Sequence, residues 1–394
     1  MKKIIKVIAV VLIVVLSSFM LSTKSTSKIE EVAATTVDLI EDNNPPLIEI
    51  YPESETEKVS HKLDSLLHRI NKRHNFNGSI LIAKNGKILY HNQVGYANFK
   101  KKEPLNKKSV FQLASVSKQF TAAAIMILFE RDQIKLTDTV DYYFPEFPYK
   151  HVTIKNLLNH TAGLPKYFWV AEHKWNKKKA PTNSEMMTLL ETSNVQRYFK
   201  SGRNFDYSNT GYFVLASIVE KISGIRFSDF VKKNIFDPLE MNDSFVYSFE
   251  NDVLKKNQLN GYRLYRGWRH LTINSTVNDA IVGDKNVYAT SEDLFKWVLG
   301  LNNEKIVSKE SLKLMYSNGK TIYGRKVPYG FGVRISTKEL NTIYHYGKWN
   351  GFSTGLTQYI EDDLVVIILE HSSYNAMTYL NKKIKKIVIE NFDT

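Results

Sequence analysis

The sequence contains no cysteine. Disulfide bonds, thiolate nucleophiles and cysteine-ligated zinc are therefore excluded, as is lipid attachment through a cysteine. A chain of 394 residues without cross-links must hold itself together with a sizeable hydrophobic core, and its length allows one. Clustered metal ligands are missing too. His151, His160 and His173 are scattered, with no tight ligand spacing, so no metal and no other cofactor is implied. There is no internal repeat. Negative charge is in short supply: 54 Lys and Arg stand against 40 Asp and Glu, a formal net charge of +14. That balance predicts anionic partners and says nothing about the fold. The basic clusters Lys177-Lys178-Lys179, Lys382-Lys383 and Lys385-Lys386 lack interleaved aromatic residues and read as solvated faces, not as a nucleic-acid surface.

A long apolar run is also lacking. The one at the N-terminus, Val7 to Leu21, would extend about 22 Å as a helix, short of a hydrocarbon core of about 30 Å. It follows Lys2, Lys3 and Lys6 and is interrupted by Ser17 and Ser18, the order of a secretory signal. No small-x-small cleavage site follows directly. Residues 1–22 are thus expected to be a signal peptide or an N-terminal membrane anchor. Either way the lysines stay inside and the bulk of the chain reaches the extracellular face. Residues 23–56 are rich in Ser, Thr, Glu, Asp and Asn, with Pro45-Pro46, and read as a flexible extracellular linker. From residue 57 to 392 the composition is that of one globular domain.

Val59, Leu63, Leu66, Leu67 and Ile70 share a helical face. A hairpin follows, with Asn85-Gly86 as its two-residue turn. Ser115 to Glu130 reads as a helix apolar nearly all round, hence central. The middle of the chain is helical or irregular, with helices over Ile154–Asn159, Thr182–Leu190, Gly211–Ser223 (Gly224 as C-cap), Ser228–Phe236 and Ser291–Leu299. Strands are expected from Tyr329 to Val333, Ile343 to Tyr346, Ser353 to Ile360 and Leu364 to Leu369, and a last helix over Met377–Ile389. Strands at both ends with helices between them predict an α/β (α+β) fold. The two ends would meet in one antiparallel sheet flanked by helices, and the inserted helical lobe would leave a groove.

Three short polar clusters carry the chemistry. Ser115 and Lys118 lie three residues apart, on one helical face. An amine drawn into apolar surroundings can take the proton of an adjacent hydroxyl and make it a nucleophile. Read alone, Ser115 could equally be a cap, and Ser117 competes for that role. Tyr207-Ser208-Asn209 precedes the Gly211 helix. A phenol there can relay a proton, and Asn209 can hold Lys118 by its oxygen and a substrate amide by its nitrogen. His345-Tyr346-Gly347 would lie on a sheet edge, where glycine admits a substrate backbone. His345 would orient Tyr207 or meet an anionic substrate group. Backbone N–H groups of Ser115 and Lys348 would form an oxyanion hole.

The order and spacing of these clusters resemble the serine β-lactamase and penicillin-binding protein superfamily, in particular its class C-like branch of β-lactamases, D,D-peptidases and related esterases. Leu157-Leu158-Asn159-His160-Thr161-Ala162-Gly163-Leu164-Pro165, Phe205 to Tyr212, Asn286 to Leu294 and Tyr329-Gly330-Phe331-Gly332 are similar to stretches of that branch. The resemblance implies a β-lactamase/transpeptidase-like fold and a two-step acyl transfer. Ser115 would be the acylated nucleophile, Lys118 and Tyr207 would share acid/base work, and Asn209 would position substrate. His345 stands where many members carry the lysine of Lys-Thr-Gly, and Tyr346 where they carry a small hydroxyl residue. The expected substrates are peptidoglycan peptides ending in D-alanine, D-alanyl esters of anionic wall polymers, or β-lactams. The alternative is a non-catalytic wall-binding or sensory module that keeps the groove.

Overall fold

The computed structural model describes residues 48–175, 179–248 and 255–392. The expected leader or anchor over residues 1–22, the linker as far as 47, and Lys177 and Lys178 lie outside the described residues. The final part of the expected linker is not linker. Glu49–Ile50 (β1) is a strand, and the first helix, α1, already starts at Glu53 and runs to His74. Its charges suit the helix dipole, with Glu53 and Glu55 in the first turn and Lys72, Arg73 and His74 in the last. Asn75, at φ 53°, closes it in the left-handed conformation.

The main sheet takes β2 (Gly78–Lys84) and β3 (Lys87–Val94) from one end of the chain. From the other end come β4 (Arg334–Ile335), β5 (Thr342–Trp349), β6 (Phe352–Tyr359) and β7 (Leu364–Glu370). The strand order is β1-β3-β2-β7-β6-β5-β4. The two ends meet along β2 and β7, which pair antiparallel from Gly78 opposite Glu370 to Lys84 opposite Leu364. Asn85 and Gly86, both at positive φ, make the expected tight turn between β2 and β3.

Both faces of the sheet are covered, so the central strands are apolar on both sides. Alternation then assigns each residue to a layer. Ile80, Ile82, Val366 and Ile368 pack with Val59, Leu63 and Leu67 of α1 and with Leu380 and Ile384 of the C-terminal helix, Met377–Asn391. Leu81, Ala83, Ile367 and Leu369 face the other way, into the larger core that holds the helical lobe. At the centre of that core is α2 (Lys118–Glu130), whose residues from Lys118 to Leu128 are all buried. Against it packs α3 (Asn209–Ser223), ended by Gly224 at φ 71°. The architecture is the anticipated one: a central sheet flanked by helices, with an inserted helical lobe.

Two local expectations need correction. The helix expected from Ser115 begins at Lys118, and Ala114–Ser117 is instead a single 3-10 turn. The strand expected over Tyr329–Val333 reduces to an isolated bridge between Tyr329 and Arg334, with β4 starting at Arg334. Gly330 and Gly332 explain the second difference. A Cβ on Gly330 would lie 2.0 Å from the Met315 carbonyl oxygen, and Gly332 has φ +76°, so this segment is a close-packed turn and not a ladder.

Candidate active site

The 3-10 turn accounts for how Ser115 meets Lys118. With three residues per turn, residues i and i+3 eclipse, which stacks the two side chains more directly than an α-helix would. Lys118 is fully buried. Its Nζ lies 3.3 Å from Ser115 Oγ, 2.7 Å from Asn209 Oδ1 and 2.8 Å from the Asp284 carbonyl oxygen. The last two atoms can only accept, so they fix two N–H directions of the amine. The third direction faces Ser115 Oγ. There an ammonium would donate, and a neutral amine would take the hydroxyl proton. Ser115 itself is partly exposed. Ser117, its sequence competitor, is buried and accepts from the Val287 N–H at 3.0 Å, so it ties the turn to the 284–287 segment.

Ala114 precedes the serine at φ +48°, a left-handed conformation that costs a non-glycine residue about 1–2 kcal/mol. Neighbours impose it. The Leu113 N–H donates to the Val287 carbonyl at 2.8 Å, and the Leu113 carbonyl accepts from Thr354 Oγ1 at 2.6 Å. The chain is held on both sides and must turn sharply to present Ser115.

Asn209 is the first residue of α3 and so projects from a helix start toward Lys118. With Oδ1 committed to Lys118, its Nδ2 has no hydrogen-bond partner among the described residues and remains available to a substrate carbonyl. The Tyr207 ring lies between two cations: Lys118 Nζ is 5.1 Å from its centroid and the Arg334 guanidinium 4.8 Å. Its hydroxyl is buried and has no hydrogen-bond partner among the described residues. Such a group costs about 1–3 kcal/mol, so the fold keeps an unpartnered phenol beside Lys118 at the expense of stability. His160 positions it. The His160 carbonyl accepts from the Asp206 N–H at 2.9 Å, and its Nδ1 accepts from the Ser208 N–H at 3.1 Å. Both residues flanking Tyr207 are thereby pinned, and the two rings pack at 4.4 Å.

His345 does not meet Tyr207 as expected. The rings are 6.0 Å apart, and His345 is fully buried. Its Nδ1 lies 2.9 Å from the Tyr346 carbonyl, which can only accept, so Nδ1 carries the proton. Nε2 then accepts from the Tyr329 hydroxyl at 2.9 Å. Burial, and next the charges of Lys118 and Arg334, hold this imidazole well below its ordinary pKa. His160 is held down in the same way, by burial first and then by Lys118. His345 is therefore a neutral brace for the strand edge, with no free face for an anion. Besides Lys118, this region holds a second basic group, Arg334, which is not evident from the sequence pattern. Its strand has only two residues, too few for any periodic signal.

The strand edge itself is suited to an oxyanion. β5 and β6 are joined by the two-residue turn Asn350-Gly351, so Trp349 and Phe352 form a hydrogen-bonded pair. Alternation then turns the backbone groups of Lys348, Tyr346 and Tyr344 to the outer edge. That edge is covered by β4 only at Ile343 and Tyr344. The Lys348 N–H consequently points out of the sheet at this edge, while its Nζ bonds Asn375 Oδ1 at 2.5 Å. Gly347 allows the close approach: a Cβ there would lie 2.8 Å from the Ser115 backbone N. Tyr346 points the other way, onto the α1 and C-terminal helix layer, so its bulk leaves the groove unobstructed.

Behind Lys118 lies a second missed group. Lys285 Nζ, buried, lies 2.7 Å from the Tyr167 hydroxyl and 3.2 Å from Asp284 Oδ1. Burial lowers its pKa, and Asp284 opposes the shift. This pair holds the segment whose carbonyl anchors Lys118.

The profile of the Beta-lactamase family matches residues 63–388. The chain belongs to that family. Penicillin-binding protein 4* of Bacillus subtilis is 35% identical over 325 residues, covering 78% of this chain and 71% of the relative. Teichoic acid D-alanine hydrolase of Staphylococcus aureus is 25% identical over 295 residues, 74% of this chain and 70% of that one. The octameric penicillin-binding protein homologue of Pyrococcus abyssi superposes with a TM-score of 0.71 at 27% identity, over 84% of this chain and 76% of its own. Membership assigns a hydrolase of the penicillin-binding protein and β-lactamase type.

Proposed function

We propose that this member of the Beta-lactamase family is an exported serine hydrolase acting on the cell envelope through an acyl-enzyme on Ser115. The observation that carries the reading is the environment of Lys118. Two of its three directions are spent on carbonyl oxygens, and the third faces a solvent-accessible serine hydroxyl. Ser115 Oγ attacks the substrate carbonyl and its proton passes to the Lys118 amine. The oxyanion is received by the N–H groups of Ser115 and Lys348. As the intermediate collapses, the bond to the leaving group breaks, and Tyr207 is the free hydroxyl that relays the proton to it. Water attacks the acyl-enzyme by the reverse proton path and releases the acid. Asn209 Nδ2 orients the substrate amide, and His345 acts at one remove by fixing the strand edge.

Substrates carrying D-alanine suit this reading. Two relatives are named for penicillin binding and for teichoic acid D-alanine hydrolysis. Export rests on the N-terminal sequence. A fluorophosphonate and a fluorescent penicillin test the nucleophile. At least one is expected to label the protein, with the adduct located on Ser115 by mass spectrometry, and Ser115→Ala is expected to abolish labelling. Folded protein that takes up neither probe would refute the acyl-enzyme and leave the non-catalytic wall-binding module.

A further inference from the structure

A cavity of 730 Å³ is lined by Lys166, Arg325 and Lys326, by Asp206, and by the aromatic rings Tyr198 and Phe205. It adjoins the candidate active site through Phe205, whose ring lies 6.2 Å from His160 and 6.4 Å from Tyr329, two rings that neighbour Tyr207. Phe205 and Asp206 lead directly into Tyr207. Lys326 lies on the segment that ends at Tyr329, the partner of His345. Lys166 precedes Tyr167, which is bonded to Lys285. The three cations come from two different segments and are exposed, and none forms an ion pair among the described residues. Arg325 is nevertheless held in place, since Nη2 donates to the Arg203 carbonyl at 2.9 Å and to Asn204 Oδ1 at 2.8 Å. Against the three stands one carboxylate, Asp206, so the lining keeps a formal surplus of positive charge. Tyr198 and Phe205 are 54% and 36% exposed and offer apolar faces beside the charges.

Unpaired cations in a groove raise the local concentration of anions. A single carboxylate would engage one of the three. Cations on separate segments suit a ligand with charge at intervals, and the aromatic faces suit its uncharged carbon backbone. We propose that this cavity is a polymer subsite: it holds a phosphodiester stretch of an anionic polyol phosphate whose acyl ester is presented to Ser115. The proposal rests on the hydrolase reading and names its substrate class.

The test uses the full chain with Ser115→Ala, so that binding is measured without turnover. The probe is unacylated poly(glycerol phosphate). Binding is expected to weaken as salt rises, because the screening length falls from about 10 Å at 0.1 M to about 3 Å at 1 M. Adding Lys166→Gln, Arg325→Gln and Lys326→Gln together should weaken it about tenfold or more and flatten the salt dependence. An unchanged melting temperature certifies the fold, and Arg325→Lys in place of Arg325→Gln should restore part of the affinity. In otherwise wild-type protein, the same three changes should lower the turnover of D-alanylated poly(glycerol phosphate) relative to D-alanyl-glycerol. Affinity and turnover ratio both unmoved by the three changes would overturn the proposal. So would a peptide ending in D-alanine that competes with the polymer at equal concentration of charge. Failure of Ser115 to take up acyl probes, with salt-sensitive polymer binding intact, would instead refute the hydrolase reading and leave the subsite standing.

Discussion

Gly347→Ala tests the geometry of the candidate oxyanion hole. The added Cβ would lie 2.4 Å from the Leu113 carbonyl oxygen, 2.5 Å from Thr354 Oγ1 and 2.8 Å from the Ser115 backbone N. All three are inside van der Waals contact, and none is the loose end of a flexible side chain. Leu113 cannot retreat easily, because its N–H and carbonyl are both hydrogen-bonded, to Val287 and Thr354. The strand must therefore move away from the Ser115 turn. Overpacking of this kind costs about 1–3 kcal/mol of stability. The separation of the Ser115 and Lys348 N–H groups changes with it, and loss of one oxyanion donor costs roughly 10²–10³ in kcat. Gly355→Ala is the control. Gly355 lies opposite Tyr346 on the neighbouring strand, and its Cβ would meet the Tyr346 ring at 3.0 Å, on the face away from the groove. The expected result is a larger loss of melting temperature in Gly347→Ala than in Gly355→Ala, whose added Cβ meets only side-chain atoms at 3.0 Å or more, with the loss of acylation rate confined to Gly347→Ala. Acylation rates come from stopped-flow measurements with an activated ester, and stability from thermal melting. A Gly347→Ala protein that acylates at the wild-type rate would refute the oxyanion assignment.

Two other measurements address the buried ionisable groups. The imidazoles of His345 and His160, held well below the ordinary value by burial and neighbouring cations, should stay neutral when followed by NMR from pH 8 to pH 5. A titration of either near pH 6.5 would refute the brace. Glu370 and its neighbour His371 should have opposite effects on stability. Burial raises the Glu370 carboxyl from 4.5 to about 7, so the native state binds the extra proton between those values and loses stability as pH rises through them. His371 is lowered from 6.5 to about 4, again chiefly by burial. There the unfolded state binds the extra proton, and stability falls as pH drops from 6.5 toward 4. Each shift corresponds to about 3 kcal/mol at most. Glu370→Gln should therefore make the protein relatively more stable at pH 8 than at pH 5. An unaltered pH dependence of the melting temperature would sink the claim.

Much of the fold is legible in the sequence where periodicity is long. The α1 face, the Asn85-Gly86 turn, the Gly224 cap and the two-sided burial of α2 can each be read from spacing alone, because each depends on contacts within a few residues. The candidate site is legible to the extent that its residues have distinctive chemistry. Lys118 hydrogen-bonds both Ser115 and Asn209, and the Tyr207 ring centroid lies 5.1 Å from the same amine. Three features escape. The 3-10 turn at Ala114–Ser117 is imposed by long-range bonds to Val287 and Thr354, which no local window contains. Arg334 sits on a strand of two residues. Lys285 has the composition of a surface residue and is buried only because Asp284 and Tyr167 receive it.

His345 shows why position in a motif does not decide a role. A lysine at this place could extend its charge past the strand edge. An imidazole is shorter and has two ring nitrogens, and here the Tyr346 carbonyl and the Tyr329 hydroxyl occupy both. Lys118 and Arg334 raise the cost of protonating it. The charge a lysine would carry is absent from this position, and a different element, the strand of Arg334, brings a guanidinium to 4.8 Å from the Tyr207 ring centroid. Tyr346 shows the same separation of motif from role: strand alternation alone sends it to the helix layer, so its size bears on the packing of the Met377–Asn391 helix and not on the groove.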